Sequence, residues 1–371
     1  MNLKLMQRLF IHLFLFFIFS LTSTLSLAQP FISVDVTTGR ILEHHKAFER
    51  WYPASLTKLM TAYVIFRAMS RGEISPNKHI TISEYAAKAP AYRSGYKAGS
   101  VLTLDTALKI TMVKSTNDLA IAMSEAVAGS QKAFVQQMNA EAQRLGMFGT
   151  HFANASGLPN TQNYSTARDI ALLAVQIRRE FPQYAHYFSI PAIDFGNKQK
   201  IQFNSNNLIG RFNGIDGMKT GFICASGFNL VASATRNKRT IIAVILGANN
   251  VSEREEKAAQ LLETGFFHKG TSQLITLATL KPYGTKMAQA TNMRQQTCTP
   301  EAFKMQANSF DDQGNIILIS PFITTTPPAI LPLPVRLIST PQTGKIKKTA
   351  KKTTFRTKTS KAPSKRVVNQ D

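Results

Sequence analysis

The sequence predicts an α/β fold: one mixed sheet sandwiched by helices, followed by a weakly patterned C-terminal region. Three observations carry this. A strand–turn–strand pattern stands near the front, a run of amphipathic helices fills the middle, and two strands with a closing helix follow from Phe228. The first and last strands are expected side by side, with helices on both faces.

The front of the chain is an address. Lys4 and Arg8 precede an apolar stretch from Leu9 to Phe19, and Ser26 and Ala28 fit a cleavage site before Gln29. Residues 1–28 thus read as a secretory signal peptide, too short in its apolar core to span a bilayer. No later segment is long enough to cross either, so the expected location is the periplasm or cell envelope. The mature chain can fill a large core, in two units.

Phe31 to Val36 alternates as a half-buried strand, Thr37-Thr38-Gly39 turns, and Arg40 to Glu43 returns. Pro53 favours a helix start just after it. Leu56, Leu59, Met60, Tyr63, Val64 and Phe66 then form an apolar stripe at helical spacing, with Gly72 as the stop. Thr103 caps a helix from Leu104 to Val113, and apolar periodicity resumes at Leu119. Ser130 caps the next helix, stopped at Gly146, and Ser165 starts one running to about Arg179. Phe228 to Thr235 alternates, with Phe228, Leu230, Ala232 and Ala234 on one face. A charged turn leads to Thr240–Leu246, a continuous apolar run of buried-strand character. Ser252 with Glu255 reads as a capping box for the last helix.

Three short motifs fall on these elements. Ser55 and Lys58 sit three apart at a helix start, so hydroxyl and amine can meet: a nucleophile beside a base, or merely a cap beside a solvated lysine. Ser115 and Asn117 sit at the junction of two helices, where they can cap the second or project from a rigid loop. Lys219-Thr220-Gly221 precedes the late strands and can be only a turn. Each is weak alone, but Ser-x-x-Lys, Ser-x-Asn and Lys-Thr-Gly in this order mark penicillin-binding proteins and class A β-lactamases.

The chain resembles the exported D-alanyl-D-alanine carboxypeptidases, the low-molecular-mass penicillin-binding proteins of serine peptidase family S11. The resemblance runs from about Phe31 to Lys269. It rests on Pro53–Lys58, Phe152–Leu158, Asp216–Gly221 and Ala225–Ala234. It implies the serine β-lactamase/DD-peptidase-like fold over residues 29–270 and removal of the terminal D-alanine from peptidoglycan stem pentapeptides, with β-lactams as inhibitors. In that reading Ser55 is the nucleophile, Lys58 a neutral base, and Ser115 the relay to the leaving amine. Burial and the nearby Lys219 would both push Lys58 toward neutrality. Asn117 holds Lys58 or the substrate amide, and Lys219 and Thr220 take the terminal carboxylate. Gly221 lets the edge strand approach closely, and the resemblance gives the oxyanion to the amides of Ser55 and Phe222. No cofactor is expected, and no Cys/His/Asp/Glu cluster has metal-ligand spacing.

The chain departs from the family pattern at the rim. Many relatives carry a polar residue where Phe222 stands and a threonine where Ile223 stands, and some have an arginine at Ser205. Phe222-Ile223-Cys224 makes that rim apolar. A single bridge between Cys224 and Cys298, the only two cysteines, is disfavoured because sequence gives no geometry, and Cys224 beside the site reads as a small buried hydrophobe rather than a reactive thiol. Residues 271–343 carry strand-like pieces (Gln273–Leu277, Asn315–Ile319), which suggest a small β-rich unit, and an extended linker from Pro327. Residues 344–371 read as a disordered basic tail.

The formal charge of +23 would suggest nucleic acid in a cytosolic protein. Export removes that partner and leaves anionic membrane or wall surfaces for the tail. A β-lactamase needs a deacylating glutamate, and no Glu-x-x-Leu-Asn segment lies between the second and third motifs. A non-catalytic wall-binding protein is disfavoured because every catalytic position is intact.

Overall fold

The first strand, β1 (Phe31–Asp35), returns on β2 (Ile41–His45), and both join three strands from the far end of the chain in a computed structural model. The structure describes residues 29–196, 199–268, 275–282, 289–326 and 329–341. The expected signal peptide, the start of the expected Gln273–Leu277 strand and the expected basic tail at 344–371 lie outside the described residues.

Between the two sets of strands the long helices are α1 (Thr57–Ser70), α2 (Leu104–Lys114), α3 (Asn117–Ala128), α4 (Gln131–Arg144) and α5 (Ala167–Glu180). Their starts follow local chemistry. Thr103 accepts from the Thr106 amide, Ser130 from Ala133 and Thr166 from Asp169, satisfying amides that a helix start leaves orphaned. The cap of α5 is therefore Thr166 rather than Ser165, whose backbone pairs with Trp51.

Then follow β3 (Ile215–Ile223), β4 (Gly227–Arg236), β5 (Arg239–Ala248) and α6 (Val251–Phe267). The sheet order is β2-β1-β5-β4-β3, so the first strand does lie beside the last. Every pair in this sheet is antiparallel, so the helix-sandwiched fold class stands but the sheet is not mixed in strand direction. Tight hairpins join β3 to β4 and β4 to β5, and such links allow only antiparallel neighbours.

Both faces of the sheet are buried. Ile242, Val244 and Leu246 of β5 face the core made with α1–α5, while Ile241, Ala243 and Ile245 face a second core with Leu261 and Leu262 of α6. This explains the uninterrupted apolar run of β5. Leu230, Ala232 and Ala234 share the α6 face, as their alternation predicts. The cap of α6 is Asn250, which accepts from the Glu253 amide; Ser252 Oγ instead donates to Ile317 O, and Glu255 is buried against Arg254. The expected Ser252–Glu255 capping box does not form.

The described residues up to Thr340 form one compact unit. The expected separate β-rich unit is absent among them. Ile316, Leu318 and Ile323 complete the α6 core, and α7 (Pro300–Ala307) is a helix. The expected linker beyond Pro327 is docked where described: Leu333–Pro334 pairs parallel with Ala192–Asp194, and Val335 is buried. Pro334 is tolerated there because the strand is at an edge. The expectation of free cysteines also fails. Cys224, just past β3, is bonded to Cys298. The two residues are 74 positions apart, and sequence alone carries no sign of their proximity.

Candidate active site

Ser55 lies in a single 3-10 turn, Ala54–Leu56, that leads into α1. Ala54 holds a left-handed φ of +49°, an uncommon conformation for a residue with a side chain, and the surrounding packing fixes it. Gly157 stands against this turn. A Cβ there would lie 1.8 Å from Ala54 O, and its φ is +83°. From the other side, Gly221 of β3 comes so close that a Cβ would be 3.1 Å from the Ser55 amide nitrogen. Only glycine allows both approaches.

Lys58 is wholly buried. Its Nζ lies 3.0 Å from Ser55 Oγ, 2.8 Å from Asn117 Oδ1 and 2.6 Å from Ser156 O. A neutral amine has two N–H groups and one lone pair. Asn117 and Ser156 offer only acceptors, so they take the two N–H groups and leave the lone pair for the Ser55 hydroxyl proton. Burial, then the positive charge of Lys219, hold the amine well below the usual lysine range, and Asp118 opposes them. The same three contacts would also satisfy the three N–H groups of an ammonium, so it is burial and Lys219 that favour the neutral amine, and the geometry then leaves its lone pair facing Ser55.

The second motif straddles a helix junction. Ser115 ends α2 in a left-handed conformation, φ +59°, and its buried Oγ has no hydrogen-bond partner among the described residues. Asn117 opens α3, and its Nδ2 donates to Pro90 O and Ala91 O. Asp118 accepts from Ser94 N and Oγ, pinning the loop that covers the junction.

Lys219 is also buried and donates to Thr220 O. Burial, with Arg254 second, lowers its pKa to about 7. Thr220 Oγ1 and Ser205 Oγ are 2.5 Å apart. Arg254 of α6 donates to Ser205 O and Glu255 Oε1, while its Nε has no partner among the described residues. A cavity of about 280 Å³ opens over Ser55, lined also by Ser115, Thr220, Phe222 and Arg254. Larger cavities of about 940 Å³ beside α4 and about 700 Å³ beside α6 hold none of the motif residues. Convergence of nucleophile, base and cations decides for the smaller one. All eight sequence-derived site residues come together here, and no group of three or more metal-ligating side chains exists among the described residues.

A family model described as D-alanyl-D-alanine carboxypeptidase, Peptidase_S11, matches residues 22–250. The chain belongs to peptidase family S11. Among curated S11-type relatives, the D-alanyl-D-alanine carboxypeptidase DacD of Escherichia coli is 34% identical over 255 residues, 67% of this chain and 65% of the relative. The chain therefore spans just under two thirds of that relative's length. Among solved structures, the D-alanyl-D-alanine carboxypeptidase DacD from Francisella tularensis has a TM-score of 0.62 at 30% identity, covering 64% of this chain and 70% of that one. Penicillin-binding protein D2 from Listeria monocytogenes in its cefotaxime-bound form has a TM-score of 0.58 at 28% identity, covering 64% and 96%. The three motifs lie inside the S11 match, whereas Arg254 and the C-terminal segment lie beyond it.

Sequence reasoning missed four contributors to this S11 site. Ser156 offers a backbone carbonyl, which side-chain motifs do not reveal. Asn154 Oδ1 accepts from Ser156 N, Gly157 N and Leu158 N and so shapes that loop. Asn229 Nδ2 donates to Tyr52 O and Pro53 O while its Oδ1 accepts from Gly247 N, fastening β4 and β5 to the Ser55 turn. Its polarity within an apolar strand was the available signal. Arg254 had one too: a charge pair, Arg254-Glu255, at the start of a helix otherwise reading as amphipathic.

Proposed function

We propose that the protein is a serine-type D-alanyl-D-alanine carboxypeptidase that removes the terminal D-alanine from peptidoglycan stem pentapeptides and is acylated by β-lactams. The observation that carries it is Lys58: buried, pushed toward neutrality, with its lone pair left for Ser55.

In this reading the substrate carboxylate lies against Lys219, Thr220 and Arg254. Ser55 Oγ attacks the penultimate D-alanine carbonyl as Lys58 takes the hydroxyl proton. The amides of Ser55 and Phe222 receive the oxyanion. The tetrahedral intermediate collapses, the C–N bond breaks, and Ser115 passes a proton from Lys58 to the departing amine. The partnerless Ser115 hydroxyl is free to rotate for that task. Water, activated by Lys58, then cleaves the ester and regenerates Ser55. The lack of a Glu-x-x-Leu-Asn segment agrees with slow release of β-lactam acyl groups.

The signal-like residues 1–28 support action in the periplasm or cell envelope, and residues 344–371 would meet anionic lipid or wall polymer. The test is direct. D-alanine release from a stem pentapeptide and covalent labelling by a fluorescent penicillin are both expected for the wild type and lost in Ser55→Ala. No release by well-folded wild type refutes the reading.

A further inference from the structure

The catalytic cavity has a wall that the three motifs do not supply. Phe222 and Phe228, paired across β3 and β4, have ring centroids 4.3 Å apart, and both line it. Phe310 also lines it, from the segment after the S11 match, with 42% of its surface exposed. An apolar ring left half in solvent beside a nucleophile stands where a ligand can cover it.

The segment carrying Phe310 is anchored at several points. Cys298 is bonded to Cys224, one residue beyond β3. Thr297 Oγ1 donates to Cys224 O, and the Met293 amide donates to Ala225 O. On the far side of Phe310, Ser252 Oγ donates to Ile317 O. Phe310 itself forms a bridge with Ile316, closed by the Ile317 amide on Ser309 O. These ties run to the end of β3 and the start of α6, the two elements that border the cavity.

The direction of β3 says which part of a substrate meets this wall. Lys219 and Thr220 hold the cationic, carboxylate end, Gly221 stands against Ser55, and Phe222 comes next. A peptide extended along β3 with its carboxylate at Thr220 and its scissile carbonyl at Ser55 continues on its acyl side toward Phe222. The carboxylate end is polar, so hydrocarbon belongs at the other.

We propose that Phe310, with Phe222 and Phe228, forms an apolar subsite for the hydrocarbon side chain on the acyl side of the scissile bond, and that the Cys224–Cys298 bridge holds this wall in place. Phe310 is thus a specificity-determining residue, contributed by a part of the chain outside the family's matched region. The inference rests on the acylation of Ser55 and adds the recognition of what lies upstream of the reacting carbonyl.

The test compares two β-lactams that differ on that side: benzylpenicillin, with an aromatic acyl group, and 6-aminopenicillanic acid, with none. Second-order acylation rates are measured for wild type, Phe310→Ala and the Cys224→Ser/Cys298→Ser double variant. Phe310→Ala is expected to slow benzylpenicillin about 10-fold, within the range that apolar pocket contacts discriminate, and 6-aminopenicillanic acid less than about 2-fold. The double variant is expected to change the ratio of the two rates in the same direction. An equal change for both compounds, or no change, in Phe310→Ala overturns the subsite; an unchanged ratio in the double variant overturns the bridge's part in it. If neither compound acylates the folded wild type, the acylation reading itself fails, and the subsite with it.

Discussion

Asn117 Oδ1 accepts a hydrogen bond from Lys58 Nζ at 2.8 Å, while its Nδ2 is committed to Pro90 O and Ala91 O. The amide is thereby fixed in one orientation, oxygen toward the lysine. That orientation makes Asn117 an acceptor for Lys58 and stops it competing as a donor for the lone pair. The second motif therefore acts on the base before it acts on any substrate.

Removing the base should be severe. Lys58→Ala is expected to lower the Ser55 acylation rate by about 10²–10⁴-fold, the usual worth of a positioned base. Stopped-flow or gel-based labelling with a fluorescent penicillin measures it. A loss under 10-fold in folded protein would assign the base elsewhere.

The alkaline limb of kcat/KM should report Lys219. Its pKa is lowered to about 7 by burial and Arg254, so protonated Lys219 pairs with the substrate carboxylate below that pH. As pH rises through about 7 the site loses that positive charge, and kcat/KM falls. In Lys219→Met the charge is absent throughout. The expected profile is lower at acidic pH and lacks this limb.

Asn229→Ala should loosen the frame. The change leaves the Tyr52 carbonyl and the Gly247 amide without their partner in a buried region, while Pro53 O keeps the Leu56 amide. The expected cost is roughly 3 kcal/mol, at about 1–3 kcal/mol for each unsatisfied buried group with partial relaxation. Urea unfolding measures it, and a change under 0.5 kcal/mol would show that other groups replace the amide.

Gly157→Ala tests the close approach at the nucleophile. The new methyl would meet Ala54 O at 1.8 Å, and φ of +83° strains any side chain. Overpacking and a left-handed alanine together cost about 3 kcal/mol. Thermal unfolding should fall by roughly 6–12 °C for a domain of this size. An unchanged midpoint would mean that the Ala54 turn gives way, and labelling of Ser55 would then be the affected quantity.

Sequence and structure agree where local chemistry decides. The apolar alternation of Leu230, Ala232 and Ala234, the run from Thr240 to Leu246, and caps such as Thr103 and Ser130 are each set by neighbours a few residues away. The motif residues are legible because side-chain chemistry at fixed spacing names them. What escaped depends on contacts distant in sequence. Cys224 and Cys298 meet only after α6 has brought the chain back. Ser156 acts through a carbonyl that any residue type carries. Pro332 and Pro334 read as linker because proline breaks patterns, yet Leu333–Pro334 docks on the edge of Ala192–Asp194. Strand direction in the sheet was likewise a matter of how the hairpins connect, which a list of strands does not contain.

The Cys224–Cys298 bond closes a loop across 74 residues of sequence, and such a bond persists only where thiols are oxidised. Its consequence is one of timing. A chain still in a reducing compartment carries the nucleophile, the base and both cations, but the segment bearing Phe310 lacks its covalent latch. If the proposed export holds, the last wall of the cleft would be locked only once the chain reaches oxidising surroundings, which would tie maturation of the site to the chain's route.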